Sequence, residues 1–318
     1  MFAVTRVLFV PQGEFVMLGA MSLATLESGK VPGTVWLLLV LGTAVLAMEL
    51  YSAARSGIWS RLPGAVALGV ALPLALLALA MWLAPSKPGL LVQVALSLAL
   101  VVPLGPMLYR VAFQPIANAS VLVLLIVAVA VHYAFVGLGL VFFGGEGWRT
   151  PPFTDALIKA GPTVISGQSL WVMGVAAGLM ALFWIFFART YLGKALRATA
   201  INRIGARLVG IKTETAGKVA FTIAALLGAF CGVLIAPITT IYYDTGFLLG
   251  LKGFVATVIG GMVSYPLSAV GALLVGVLES FASFWASALK DAIVFTLLIP
   301  VLLWRSLVSR HTEEDDET

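Results

Sequence analysis

Residues 189–218 read RTYLGKALRATAINRIGARLVGIKTETAGK, and they divide a chain that is otherwise largely apolar. Seven bases stand in this stretch (Arg189, Lys194, Arg197, Arg203, Arg207, Lys212 and Lys218) against one acid, Glu214. The whole chain holds 19 Lys and Arg, so more than a third of them fall in less than a tenth of its length. Lys and Arg beside apolar spans resist translocation, which predicts that this loop stays on the cytoplasmic side. Charge alone does not account for its pattern. Leu192, Leu196, Ile201, Ile204 and Leu208 recur at roughly three- to four-residue spacing, Thr190 can open a helix and Gly210 can close one. The spacing predicts a short amphipathic helix outside the membrane, its apolar stripe free to meet a partner.

Outward from this stretch, the composition decides the class. Of 318 residues, 61% are hydrophobic and 10% charged, with a mean hydropathy of +1.08. A soluble domain carries about 25% charged residues. The chain therefore reads as all-α, a polytopic transmembrane bundle in the lipid bilayer, and its long continuous apolar runs exclude an outer-membrane barrel. No basic n-region with a small-residue cleavage site opens it. Cys231 lies in an apolar run and reads as a packing residue. His132, in a span, and His311, in the tail, cannot make a metal site between them. The net charge of +5 sits in loops and sets orientation, so no nucleic-acid partner is expected.

Residues 2–26 are apolar but interrupted by Pro11-Gln12-Gly13-Glu14. Two readings stand: an interfacial segment whose polar break sits in water, or a discontinuous helix lining a cavity. Val31–Met48 forms a span. Gly64–Ala84 and Gly89–Tyr109 form a hairpin around Pro85-Ser86-Lys87-Pro88, with kinks at Pro73 and Pro103. Val121–Phe143 returns outward, and residues 144–167 make a long outer connection. Trp171–Ala188 delivers the chain to the basic stretch, and Val219–Pro237 leaves it with Gly228-x-x-x-Gly232, a spacing that permits close helix packing. Residues 254–263 are too few to cross, Gly260-Gly261 and Ser264-Tyr265-Pro266 break the helix, and 267–279 is again short. Two short interrupted legs point to a transport pathway. The alternative is a single kinked helix over Phe254–Glu279. Phe284–Trp304 is the last span, and residues 306–318 make a disordered acidic cytoplasmic tail. The whole reads as one domain, 1–318, of eight or nine membrane segments.

No Gly-x-x-x-x-Gly-Lys-Ser/Thr phosphate loop, catalytic triad or zinc spacing occurs in the sequence. The chain is therefore not expected to be an enzyme or to bind a nucleotide by that route. Ionisable residues in or near spans are few: Glu14, Glu49, Asp244, Lys252, Glu279, Lys290 and Asp291. Glu14 and Glu279 stand out as candidates for a role inside the bundle.

A broken membrane core without a motor, joined to a basic amphipathic loop, suggests a subunit driven by a partner. Here the residues resemble a family. Gly193, Leu196-Arg197-Ala198, Ala206-Arg207-Leu208 and Gly210-Ile211 resemble the cytoplasmic coupling segment of branched-chain amino-acid ABC permeases of the high-affinity leucine/isoleucine/valine type. Phe9, Gly13, Glu14, Met17 and Gly19 resemble that family's early Gly-Glu segment, with Gln12 where the family has His. Tyr109, Arg110 and Pro115 resemble its Tyr-Arg-Pro loop. Lys252, Phe254, Gly260, Gly261, Ser264 and Gly271-Ala272 resemble its signature region.

The resemblance implies a multi-pass inner-membrane permease subunit that moves branched-chain or related amino acids. It would work with a second homologous permease, two cytoplasmic ATPase subunits and a periplasmic solute-binding protein. It would need no cofactor of its own, ATP being bound by the partners. The implied coupling set is Gly193, Leu196, Arg197, Ala206, Arg207, Leu208 and Gly210. The implied path set is Gly13, Glu14, Lys252, Gly260, Gly261, Ser264 and Glu279. Related systems carry urea or short amides, and a stand-alone secondary transporter is the competing class.

Overall fold

The computed structural model describes residues 2–57, 59, 62–160, 163–260, 265–296, 299–300 and 303. Gly261, Ser264 and the acidic tail lie outside them, as does most of the expected last span after Thr296. The chain divides into two compact units, Met1–Phe247 and Leu248–Thr318.

The first unit is built around a helix that is not long enough to be a span. After a single turn, α1 (Phe2–Thr5), α2 runs over Gln12–Glu27 and buries 13 of its 16 residues. This settles the first ambiguity of the sequence: α2 is interior, not interfacial. A helix buried on every side shows no apolar stripe, so periodicity could not reveal it. α3 (Thr34–Ser56), α4 (Leu62–Ser86), α5 (Leu90–Phe113), α6 (Val121–Phe143), α7 (Gly167–Arg189) and α10 (Thr213–Ile235) are each long and apolar enough to cross a membrane. In the second unit, the segment Leu267–Trp285 is the seventh such helix among the described residues. Between α7 and α10 lie α8 (Tyr191–Ile201) and α9 (Arg203–Leu208).

α10 packs on α2 through glycines. A Cβ added at Gly232 would meet the Val16 carbonyl, and one at Gly228 would lie 2.6 Å from the Phe15 Cβ. The Gly228-x-x-x-Gly232 spacing is thus explained by backbone approach. Phe9, in the segment before α2, stacks at 5.7 Å on Phe15 and meets Phe221 and Phe113 edge-on at 4.9 and 5.9 Å. This aromatic knot ties α2 to α5 and α10. Cys231, expected to pack, lies instead on the exposed face of α10.

The kink positions read from the sequence are present. Ala67–Ala71 form a π-helical turn ahead of Pro73, and the α-helical run of α5 is interrupted at Val102-Pro103. The connection over residues 144–167, expected on the outer side, is more ordered than a solvated loop. It holds a hairpin of β1 (Leu157–Ala160) and β2 (Thr163–Ser166), antiparallel with Leu157 opposite Ser166. It is stitched to the segment that follows α10 by Trp148 pairing with Ile241 and Arg149 Nε donating to the Pro237 carbonyl at 3.1 Å, and Gln168 at the start of α7 donates through Nε2 to the Leu234 carbonyl of α10 at 2.9 Å.

In the second unit, α11 (Thr245–Ile259, begun in the first unit) and α12 (Tyr265–Trp285) are separate helices folded against each other. A Cβ at Gly271 would meet the Ala256 carbonyl, and one at Gly260 the Ser268 backbone, so a single kinked helix is ruled out. The second leg is longer than the sequence suggested. It continues past Glu279, which is paired with Lys252 and is an ordinary helix former, to Trp285, and stops where Ala286 leaves helical geometry at φ −149° and ψ 68°. α13 (Lys290–Thr296) follows a 3-10 turn at Ser287–Leu289.

Candidate functional site

α2 begins in the middle of the bundle. Gln12 Nε2 donates to the Ala224 carbonyl at 3.0 Å, and Ala224 is the twelfth of the 23 residues of α10. Two residues on, Glu14 Oε1 lies 2.8 Å from His132 Nδ1, and His132 is the twelfth of the 23 residues of α6. The first turn of α2 therefore sits level with the midpoints of two spans, as a half-helix does. An acid there is favoured by the positive end of the helix dipole.

Glu14 is 0% exposed. Its second oxygen, Oε2, has no hydrogen-bond partner among the described residues. Gly246, in the first turn of α11, lies over it: an added Cβ would stand 2.8 Å from Oε2 and 2.8 Å from the Gly13 carbonyl. The neighbouring Phe247 ring is 4.8 Å from the His132 ring. Gly13 and Glu14 are thus brought together with His132 and Gly246. A buried carboxylate with one oxygen held and one oxygen free can hold a positive or hydrogen-donating group.

The basic end of the first unit carries the second group of sequence candidates. Thr190 caps α8, its Oγ1 accepting from Gly193 N at 3.0 Å while donating to the Phe186 carbonyl at 2.6 Å. Gly193 is buried at this corner, where a Cβ would lie 2.7 Å from Phe187 Cα. One continuous helix was expected over the stripe, but the chain breaks at Asn202, whose Oδ1 accepts from Gly205 N at 2.8 Å to open α9. The hydroxyls and amides that cap helices compete with the helix interior, and Asn202 wins here. Gly210, at φ +84°, ends α9 in a Schellman turn, Ile211 N bonding to the Ala206 carbonyl and Gly210 N to that of Arg207.

The break splits the coupling candidates by direction. Leu196 and Ala206 are buried; Leu196 packs with Ala216 and Ala220, flanked by Val4, Phe186 and Phe187. Arg197, Arg207, Leu208 and Gly210 are exposed. Leu208 is 83% exposed, beside Ile201, Ile204 and Val209 at 73% or more. Arg207 Nε also donates to Thr213 Oγ1 at 3.0 Å, and Arg203 Nη1 donates to the Ala117 carbonyl at 3.2 Å. The bases thus brace this end as well as charging it.

The remaining path candidates lie in the second unit. Gly260 is buried against α12. Lys252 Nζ lies 2.6 Å from Glu279 Oε1 and 3.0 Å from Asp291 Oδ1. Sequence reading singled out Lys252 and Glu279 but did not join them, and it left His132, Gln12 and Asn202 without a role. His132 could have been flagged as an ionisable group at the centre of a 23-residue apolar run.

The chain matches the family described as branched-chain amino acid transport system / permease component over residues 61–302. It is 30% identical over 214 residues to the high-affinity branched-chain amino acid transport system permease protein LivH of Salmonella typhimurium, a match covering 61% of this chain and 65% of that protein. BraD of Pseudomonas aeruginosa, of the same description, is 31% identical over 223 residues, 68% of this chain and 73% of BraD. The autoinducer 2 import system permease protein LsrC of Shigella flexneri is 29% identical over 175 residues, 54% of this chain and 48% of LsrC. The chain thus spans just under two thirds of the length of the LivH relative. No solved structure matches it.

Proposed function

Because this chain belongs to the branched-chain amino acid transport system permease component family, we propose that it is the multi-pass inner-membrane permease subunit of an ABC importer for branched-chain amino acids. It pairs with a second permease, takes its solute from a periplasmic binding protein and is driven by two cytoplasmic ATPase subunits. The observation that carries this reading is the exposed apolar face of Ile201, Ile204, Leu208 and Val209, set among Arg197 and Arg207 at the basic end. An apolar patch rimmed by charge on a membrane protein's water-facing end is what a docking partner covers.

Within the bundle, Glu14 at the mid-depth start of α2 is a path residue: its Oε2 is unpartnered but covered by Gly246, so the ammonium of a passing amino acid reaches it only when α11 shifts. Glu14→Gln in the reconstituted importer should lower uptake; unchanged uptake would take Glu14 out of the path. The reading as a whole is tested by co-purification and vesicle uptake. Wild type should hold its ATPase partners and import leucine, while Ile204→Asp with Leu208→Asp should release the ATPases from a permease that is still folded. Retention of the ATPases by that double variant would overturn the docking assignment.

A further inference from the structure

Three charged side chains meet in the second unit: Lys252 from α11, Glu279 from α12 and Asp291 from α13. They form a layer. Val255, Val275 and Val294 pack together as the unit's buried core, and they stand three, four and three positions from Lys252, Glu279 and Asp291 on the same three helices. Such spacings place residues on one face of a helix about one turn apart. The triad is therefore a polar layer stacked directly on an apolar one.

Two of its three members lie deep within apolar helices. Glu279 lies inside the candidate span Leu267–Trp285, six residues from its end, and Lys252 lies at the centre of the apolar helix Thr245–Ile259. Charges at that depth face a bundle interior or a water-filled cavity, since lipid does not solvate them. Yet the layer is open: the three side chains keep 19, 28 and 36% of their surface.

The charge inventory is one base and two acids. An ammonium has three donors; Lys252 gives one to Glu279, while Asp291 Oδ1 stands 3.0 Å away as an ion pair and is itself buried without a hydrogen bond. We propose that Lys252, Glu279 and Asp291 form a subsite in the translocation path for the charged head of a zwitterionic amino acid. Lys252 receives the carboxylate, and Glu279 with Asp291 receives the ammonium. The solute's two charges replace part of the internal pairing, so its passage leaves no charge of the triad unpaired among apolar helices, where an orphaned ion is costly. The subsite rests on the importer reading above and gives it a recognition chemistry.

The test uses the complete importer in proteoliposomes with its binding protein, reading leucine uptake and the ATP hydrolysis that loaded binding protein stimulates. The variants are Lys252→Met, Lys252→Arg, the neutral triple Lys252→Met/Glu279→Gln/Asp291→Asn, and the swap Lys252→Glu/Glu279→Lys. Expected is a loss of uptake of at least tenfold in Lys252→Met and in the triple variant, with stimulated hydrolysis within twofold of wild type and Lys252→Arg retaining uptake. The triple variant orphans no charge, so it keeps the test sharp if Lys252→Met fails to fold. Wild-type uptake by the triple variant overturns the proposal. So does full rescue by the swap, which would make the triad a structural clamp. If the wild-type importer moves no amino acid at all, the functional reading fails, and the subsite with it. If wild type moves leucine and the triple variant does too, only the subsite fails.

Discussion

Glu14 and His132 stand 118 positions apart in the chain, yet they share a 2.8 Å hydrogen bond at the level where α2 begins. His132 is the partner that allows an acid to be wholly buried there. His132→Ala should destabilise the permease by about 1–3 kcal/mol, the usual cost of orphaning a buried polar group. Glu14→Gln should cost less, because its amide can still bond to the ring. Denaturant unfolding in mixed micelles reads both, and the double variant should be clearly non-additive. Additive effects would mean that the two side chains do not depend on each other.

The spans were legible and this pair was not. Continuous apolar runs report membrane crossing directly, so α3 to α7 and α10 lie close to where hydropathy placed them. Pairing across 118 residues leaves no mark in any window of sequence. α2 was ambiguous for a related reason: Pro11 and Glu14 look like a water-exposed break until His132 and the dipole of α2 are seen to hold the acid. The length of α12 was misjudged because Glu279 reads as an end signal when its partner, Lys252, is unseen. Asn202 is a capping residue in the middle of a helical pattern, and the periodic Leu and Ile on either side outweighed it.

Two glycines on apolar helices should behave oppositely. Gly232 faces the backbone of α2, where an added Cβ would meet the Val16 carbonyl and lie 2.9 Å from Ala20 N. Gly178, on α7, has nothing within 4 Å. Gly232→Ala should destabilise by about 1–3 kcal/mol through overpacking. Gly178→Ala should be neutral or raise stability by up to about 1 kcal/mol through helix propensity. Melting temperatures of the two purified variants check this, and equal shifts would refute the close approach of α2 and α10.

Leu196 and Leu208 belong to one periodic stripe in the sequence but to different surfaces in the fold. Leu196→Asp would place a carboxylate among Ala216, Ala220 and Phe186, so the isolated permease should lose several degrees of melting temperature. Leu208→Asp, on a side chain that is 83% exposed, should leave stability within about 0.5 kcal/mol. A stable Leu196→Asp variant would place α8 wrongly against α10.

The direction of the exposed face depends on the break at Asn202 and the stop at Gly210. Asn202 has an extended backbone, φ −144° and ψ 100°, and its side chain caps α9. Asn202→Ala removes the cap, at about 1 kcal/mol, and loosens the first turn of α9, so that Ile204 and Leu208 are no longer fixed relative to the anchored Leu196. Gly210→Ala forces a side chain into φ +84°, which costs about 1–2 kcal/mol, whereas Gly210→Asn should be milder, since Asn tolerates that region. Both losses should appear as faster tryptic cleavage after Arg203, Arg207 and Lys212, in the order Gly210→Ala above Gly210→Asn above wild type. Cleavage at the wild-type rate in Asn202→Ala would show that α9 is held by its packing alone, with Ala206 rather than the cap as its anchor.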